Sequence, residues 1–199
     1  MDVIDTLSGI APGSHLDNVR RTRRPVAREH AQKSYESLFT PAEFGDFGPL
    51  ERHAVAVFIA GLHGQDAIKA FYAEKLRSAA ATDATRDALD AEIAAAKANG
   101  PYGAFPKGPL SKEDTKGPVH RVAEAHQEAL GPRLAAALEH VHMLVFHPRD
   151  ADVRSLQALL DAGWSTTEVV TLSQLVAFLS FQIRVVTGLR VLVANPRPA

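Results

Sequence analysis

The chain has no cysteine. That absence excludes disulfides, thiolate metal sites and thiol nucleophiles, and it fits a reducing compartment. It also lacks an excess of either charge: 22 lysines and arginines against 23 acids leave a formal net charge of −1. No global field therefore draws in nucleic acid or an anionic membrane, and neither is expected as a partner. Long apolar runs are missing as well. The longest uncharged one, Val169 to Ile183, lies between Glu168 and Arg184 and falls short of the roughly 18–20 residues that cross a bilayer. It reads as a buried helix. The opening residues Met1-Asp2-Val3-Ile4-Asp5 carry acids and no sustained apolar core, so no secretory signal is expected and the expected location is the cytoplasm. There is no glycine-rich phosphate loop, no His-Glu-x-x-His run and no serine elbow, which argues against nucleotide binding and serine or zinc hydrolysis.

Hydrophobic residues make up 46% and charged residues 23% of 199 positions, a balance that suits one globular domain with a substantial core. Residues 1–25, with Pro12, Gly13, Pro25 and the basic cluster Arg20, Arg21, Arg23 and Arg24, read as an irregular arm that is solvated or meets another subunit. A first helical half follows over 26–98. Val26 to Phe39 suits a helix, and Thr40-Pro41-Ala42-Glu43 offers an N-cap, a first-turn proline and a capping-box acid for a short turn. Leu50 to Leu62 is apolar nearly all round, the mark of a helix enclosed by others. His63-Gly64 breaks it, Gln65 to Ser78 continues, and alanine-rich Asp83 to Lys97 makes a further helix.

Residues 99–118 hold four glycines and four prolines and read as a long central loop. A second helical half spans 119–190, with segments Val119–Leu130, Arg133–Phe146, Asp152–Ala162 and Thr166–Thr187 and breaks at Gly131-Pro132, His147-Pro148 and Gly163. Ser165 and Glu168 form a capping box for the last helix, and 191–199 is a tail. The fold class is all-α.

Two stretches resemble a known family. Leu50-Glu51-Arg52-His53-Ala54-Val55-Ala56-Val57, running into Gly61-Leu62-His63-Gly64-Gln65-Asp66-Ala67-Ile68-Lys69-Ala70-Phe71-Tyr72, is similar to the buried helix and active-site helix of the carboxymuconolactone decarboxylase and alkylhydroperoxidase D-like proteins, in particular their peroxidase-related branch. Leu159 to Glu168 and Phe178 to Leu189 resemble that family's closing helices. The resemblance implies a bundle of helical hairpins assembled as a dimer, trimer or hexamer, and an association with antioxidant defence. It also implies a correspondence of site positions. His53 stands where the family's proton-relay glutamate would be, Gln65 and Ile68 where its two cysteines would be, and Tyr72 where its histidine would be, with Gly64 preserved before the first.

Glutamine and isoleucine cannot attack a peroxide or resolve the adduct, so thiol peroxidase chemistry is excluded. Two classes of function are left. One is an oligomeric binding or accessory protein that holds a small apolar or carbonyl ligand between hairpins. The other is an acid–base enzyme acting on a lactone-like or carbonyl acid, with His53 transferring the proton while Tyr72 and Gln65 polarise the carbonyl. Glu51, His63, Gly64 and Ile68 would line or support that pocket.

Arg184, within an otherwise apolar helix, is expected in a buried salt bridge to the Glu51 region or another subunit, or as the anchor of a ligand carboxylate. His140 and His142, two residues apart, diverge by about 200° on a helix and cannot share a metal ion. His126 reads as a packed core histidine and His120 with Glu124 as a surface pair. Neither a metal nor a cofactor is expected.

Overall fold

The computed structural model describes residues 2–195, which form nine α-helices, two short 3-10 turns and no β-strand. The all-α expectation holds. The helices are α1 (Val3–Ser8), α2 (His15–Arg23), α3 (Pro25–Phe39), α4 (Pro49–Leu62), α5 (Asp66–Ser78), α6 (Asp83–Ala95), α7 (Glu124–Phe146), α8 (Val153–Asp161) and α9 (Thr166–Ala194).

Helix α4 is the centre of the bundle. Every residue from Arg52 to Leu62 is buried, and α3, α5, α6, α7 and α9 all pack against it. An apolar circumference leaves this helix no solvent face, so it must be surrounded. Gly61 permits the closest approach: a Cβ there would lie 2.5 Å from Cγ2 of Ile93 on α6. Gly64, at φ 64°, turns the chain through the left-handed region that glycine adopts without strain and starts α5.

Arg52, buried at the start of α4, donates to the carbonyls of Leu38 (2.6 Å), Phe47 (2.7 Å) and Phe44 (3.2 Å). Its guanidinium also lies over the rings of Phe44 and Phe47. The expected helical turn at Thr40-Pro41-Ala42-Glu43 does not form. With carbonyls on both sides of it committed to Arg52, the 40–48 segment wraps the guanidinium as irregular chain.

The N-terminal segment corrects another expectation. It is not an irregular arm: α1 and α2 occupy it, and Val3, Ile4, Leu7 and Ile10 belong to the core. Asp2 caps α1 through the amides of Ile4 and Asp5. Arg20 and Arg28 then pair with Asp5, which spends part of the basic cluster inside the protein. Local signals for both helices are present, with Asp2 and Gly9 capping α1 and Ser14 capping α2, and the pairing of Asp5 with Arg20 and Arg28 fixes the two helices in the fold.

The central loop is longer than expected. It carries a 3-10 turn at Pro109–Glu113 and an isolated bridge between Gly103 and Thr115, and continues to Ala123. Residues 119–123 were expected to be helical. Instead the amide of Val122 donates to Glu139 (3.0 Å) and that of Ala123 to Glu92 (3.0 Å), side-chain acceptors that replace helical ones. The break at Gly131-Pro132 appears as a kink within α7, with Gly131 at φ 73° and ψ 157°. Ser165 and Glu168 form the anticipated capping box.

Helix α9 runs past Gly188 to Ala194, so the expected tail is helical over 191–194 and its last four residues, 196–199, lie outside the described residues. Among the described residues it is the one helix long and apolar enough to cross a membrane by length and composition. Its Leu172, Leu175 and Leu179 are wholly buried in the bundle.

Arg52→Lys tests the wrapped segment. A point-charge ammonium cannot serve three carbonyls in the fan that a guanidinium spans, so the variant is expected to lose about 2–3 kcal/mol of stability. Urea denaturation followed by circular dichroism measures this, and an unmoved midpoint would show that the 40–48 segment does not depend on the fork.

Candidate functional site

The α4–α5 hairpin brings some of the sequence-indicated residues together and separates others. His53, in the first turns of α4, is buried and stacks on Phe39 with centroids 5.3 Å apart and planes at 10°. Its Nδ1 is buried without a hydrogen-bond partner among the described residues. Burial, aided by Lys75 and Arg52, pushes its pKa down to about 4, so the ring is neutral near pH 7. Tyr72 on α5 is wholly buried against the same Phe39, with centroids 5.1 Å apart. Its hydroxyl donates to Oε1 of Gln182 on α9 at 2.6 Å. Burial raises its pKa well above the ordinary tyrosine value, so the hydroxyl remains a donor.

Gln65 stands apart from this pair. At the entry to α5 it is half-buried, and its Oε1 accepts a 3.3 Å hydrogen bond from Thr187. Ile68 is a fully buried core residue, while Gly64 is exposed. His53, Phe39, Tyr72 and Gln182 thus form a filled stack across α4, α3, α5 and α9. None of the three clefts on this molecule described below is lined by His53, Tyr72 or Gln65.

The expected buried salt bridge of Arg184 to the Glu51 region does not form. Arg184 is exposed and, among the described residues, pairs with no carboxylate; its guanidinium donates to the carbonyl of Ser180 at 2.8 Å. The partner of Glu51 is Arg133 on α7, at 2.9 Å. Arg133 also pairs with Glu168, donates to the carbonyl of Gly163 and lies 4.2 Å over the Trp164 ring. Arg133 meets Glu51 directly, whereas position 184 falls on the outer face of α9. A single cationic residue in an apolar run does not by itself disclose which face it takes.

On that outer face Arg184 lines a cleft of about 490 Å³. Ser173, Val176, Ala177 and Ser180 on α9 form one side, the end of α7 (Leu144 to Phe146) the other, and Gly100 and Pro101 of the central loop a third. His63 lies on its wall, half-buried, with Nε2 unpartnered among the described residues. Burial and the nearby Arg184 lower its pKa. A smaller cleft of about 330 Å³ adjoins on the other side of His63, along Gly61 to Gly64 and Lys97 to Asn99.

A third cleft, about 260 Å³, is lined by four histidines, 120, 140, 142 and 147, together with Glu139 and Asp150. Two expectations change here. His120 is buried with Nε2 3.0 Å from Glu92 on α6, not paired with Glu124 on the surface. His126, half-buried, bonds to the same Glu92. The rings of His120 and His142 are 5.4 Å apart and those of His142 and His147 6.0 Å. His147 is held by Asp150 (3.1 Å) and the carbonyl of Pro118 (2.9 Å). Among the described residues no three such side chains are arranged to hold a metal ion. No spacing rule links position 92 with 120, or 120 with 142 and 147, so this cluster was invisible in the sequence.

The depressed histidines set an acid sensitivity. His53 takes up a proton at its ordinary pKa of 6.5 when unfolded but at about 4 when folded. The unfolded chain therefore binds more protons between these values, and stability is lost as pH falls from 6.5 toward 4. Replacing His53 with phenylalanine keeps the stack on Phe39 and removes this loss. The stability of His53→Phe relative to wild type is expected to rise by about 2 kcal/mol between pH 7.5 and pH 4.5. Urea titrations at both values measure it; a difference independent of pH would refute the assignment.

Compared with protein-family models, characterised proteins and solved structures, this chain finds no match.

Proposed function

We propose that the protein is a small-molecule-binding or accessory protein, not an acid–base enzyme working through His53, and that its ligand site is the cleft between α7, α9 and the central loop. The ligand is a largely apolar molecule bearing one carboxylate or carbonyl oxygen. The observation that carries this reading is the exposed guanidinium of Arg184, without a carboxylate partner among the described residues, on the wall of an otherwise largely apolar cleft. A guanidinium already bonded through one N–H to the Ser180 carbonyl keeps other donors for a carboxylate in fork geometry. Val176, Ala177 and Leu144 offer the apolar body a surface, and the size lies in the range of small-molecule sites. Against catalysis at His53 stands the stack itself: Tyr72 has its hydroxyl committed to Gln182, and no solvent reaches its ring.

The reading is compatible with a cysteine-less member of the carboxymuconolactone decarboxylase and alkylhydroperoxidase D-like family, related to antioxidant proteins without their thiol chemistry and working in the cytoplasm. Self-association belongs to the same proposal. Val170, Phe181 and Val191 are exposed on α9 and Val153 on α8, apolar area that a second copy of the chain would cover.

Isothermal titration with octanoate at pH 7.5 tests the site. Arg184→Gln is expected to weaken binding at least tenfold, the loss of one charged hydrogen-bonding pair of about 1.5–3 kcal/mol, while His53→Phe binds as wild type. Equal binding by Arg184→Gln, or no binding by wild type, would remove this ligand class. Sedimentation velocity tests the assembly: Phe181→Asp is expected to shift it toward monomer, and a wild-type protein that sediments as a monomer would end that part of the proposal.

A further inference from the structure

The central loop forms one wall of the Arg184 cleft and is fastened at its base by histidines. Gly100 rests on the backbone of Phe146, where a Cβ would come within 2.9 Å of the carbonyl oxygen, and the amide of Tyr102 donates to that same carbonyl. The Tyr102 ring packs on His147, 5.1 Å between centroids. His147 in turn holds the carbonyl of Pro118, near the far end of the loop. Two residues further on, His120 inserts between Phe58 on α4 and His142 on α7, with Glu92 at its other edge. The loop is thus pinned at both ends to one trio of rings, His120, His142 and His147.

We propose that this trio is a proton-operated latch: protonation at His142 places a buried cation with no carboxylate partner beneath the loop and frees its 100–103 wall from the end of α7. The inference rests on the ligand reading only in naming the cleft that the wall borders.

The charges facing the trio decide the sign. From α6 comes Glu92, whose carboxylate already serves His126 and the amide of Ala123. From the loop comes Arg121, and from α7 Glu139, which is occupied by Arg121 and the amide of Val122. His140 lies on the same cleft, as do Asp150, Asp152 and Arg154. Of these, Asp150 bonds His147 and Asp152 caps α8. Arg149 is held over Phe105. Glu92 keeps its second carboxylate oxygen, without a hydrogen bond among the described residues, 3.0 Å from Nε2 of His120; the other carboxylates are engaged elsewhere, and none is bonded to His142. Burial, with His120 and His147 beside it, brings His142 to about 4, while Glu92 only partly offsets burial at His120. Opening that fully solvates the His142 ring would return it from about 4 to its ordinary 6.5, which bounds the shift in the opening equilibrium at about 30-fold between pH 7.5 and pH 5.

Native-state hydrogen exchange on the full chain reads that shift. The protection factors of the Tyr102 and Gly103 amides, corrected for intrinsic exchange, are expected to fall by up to about 30-fold from pH 7.5 to pH 5, below those of α4 amides, which report global unfolding. In His142→Gln the acid loss is expected to vanish; should that variant not fold, His120→Gln removes the neighbouring titratable ring and is expected to reduce the loss. Protection that is unchanged or higher at pH 5, that falls only in step with α4, or that falls as far in His142→Gln would overturn the latch. Octanesulfonate, ionised across this range, separates the two readings. If it raises the protection of the wall at pH 7.5, both stand; if it has no effect while the acid loss occurs, the ligand reading fails and the latch remains.

Discussion

Burial of α4 over nearly its whole circumference is the constraint from which most of the structure follows. An enclosed helix has no water to offer its polar residues, so each must be neutral or find partners inside the protein. Arg52 donates to three backbone carbonyls and thereby shapes the 40–48 segment. His53 and His63 carry lowered pKa values. Glu51, at the edge, takes Arg133. Through Glu168 and the Gly163 carbonyl, Arg133 then ties α4 and α7 to the start of α9.

The same constraint explains why the space between His53 and Tyr72 is filled. Phe39 from α3 supplies the ring that both His53 and Tyr72 stack on, and Gln182 from α9 takes up the tyrosine hydroxyl. Each contact lowers the free energy of the packed state through close packing and ring contact, and together they leave no cleft lined by His53 or Tyr72 among those described. Helix α9 therefore has two roles. Its inner face, with Gln182 and Leu179, closes the stack; its outer face, with Ser180 and Arg184, borders a cleft.

The central loop connects that cleft to the histidine cluster. Its glycines and prolines deny it regular structure, and its order comes from discrete contacts: Tyr102 on Phe146 and His147, Pro118 on His147, His120 beside Glu92. Few contacts of this kind make a segment that can open without the rest of the bundle unfolding.

Periodicity and punctuation carry local information, and they determined the helical class, the enclosed α4, the breaks at Gly64 and Gly131-Pro132 and the Ser165–Glu168 cap, because each depends on residues within a turn or two of one another. The absence of cysteine likewise excluded thiol chemistry without reference to any fold. The placement of the N-terminal helices, the irregular 40–48 and 119–123 segments and the outward face of Arg184 were decided by tertiary contacts: Asp5 with Arg20 and Arg28, Arg52 with distant carbonyls, Glu92 with the start of α7. So was the gathering of His120, His142 and His147. Which side chain meets which across such sequence separations is set by how the helices pack around α4, a global free-energy minimum that buries apolar area and satisfies polar groups and that no local pattern encodes.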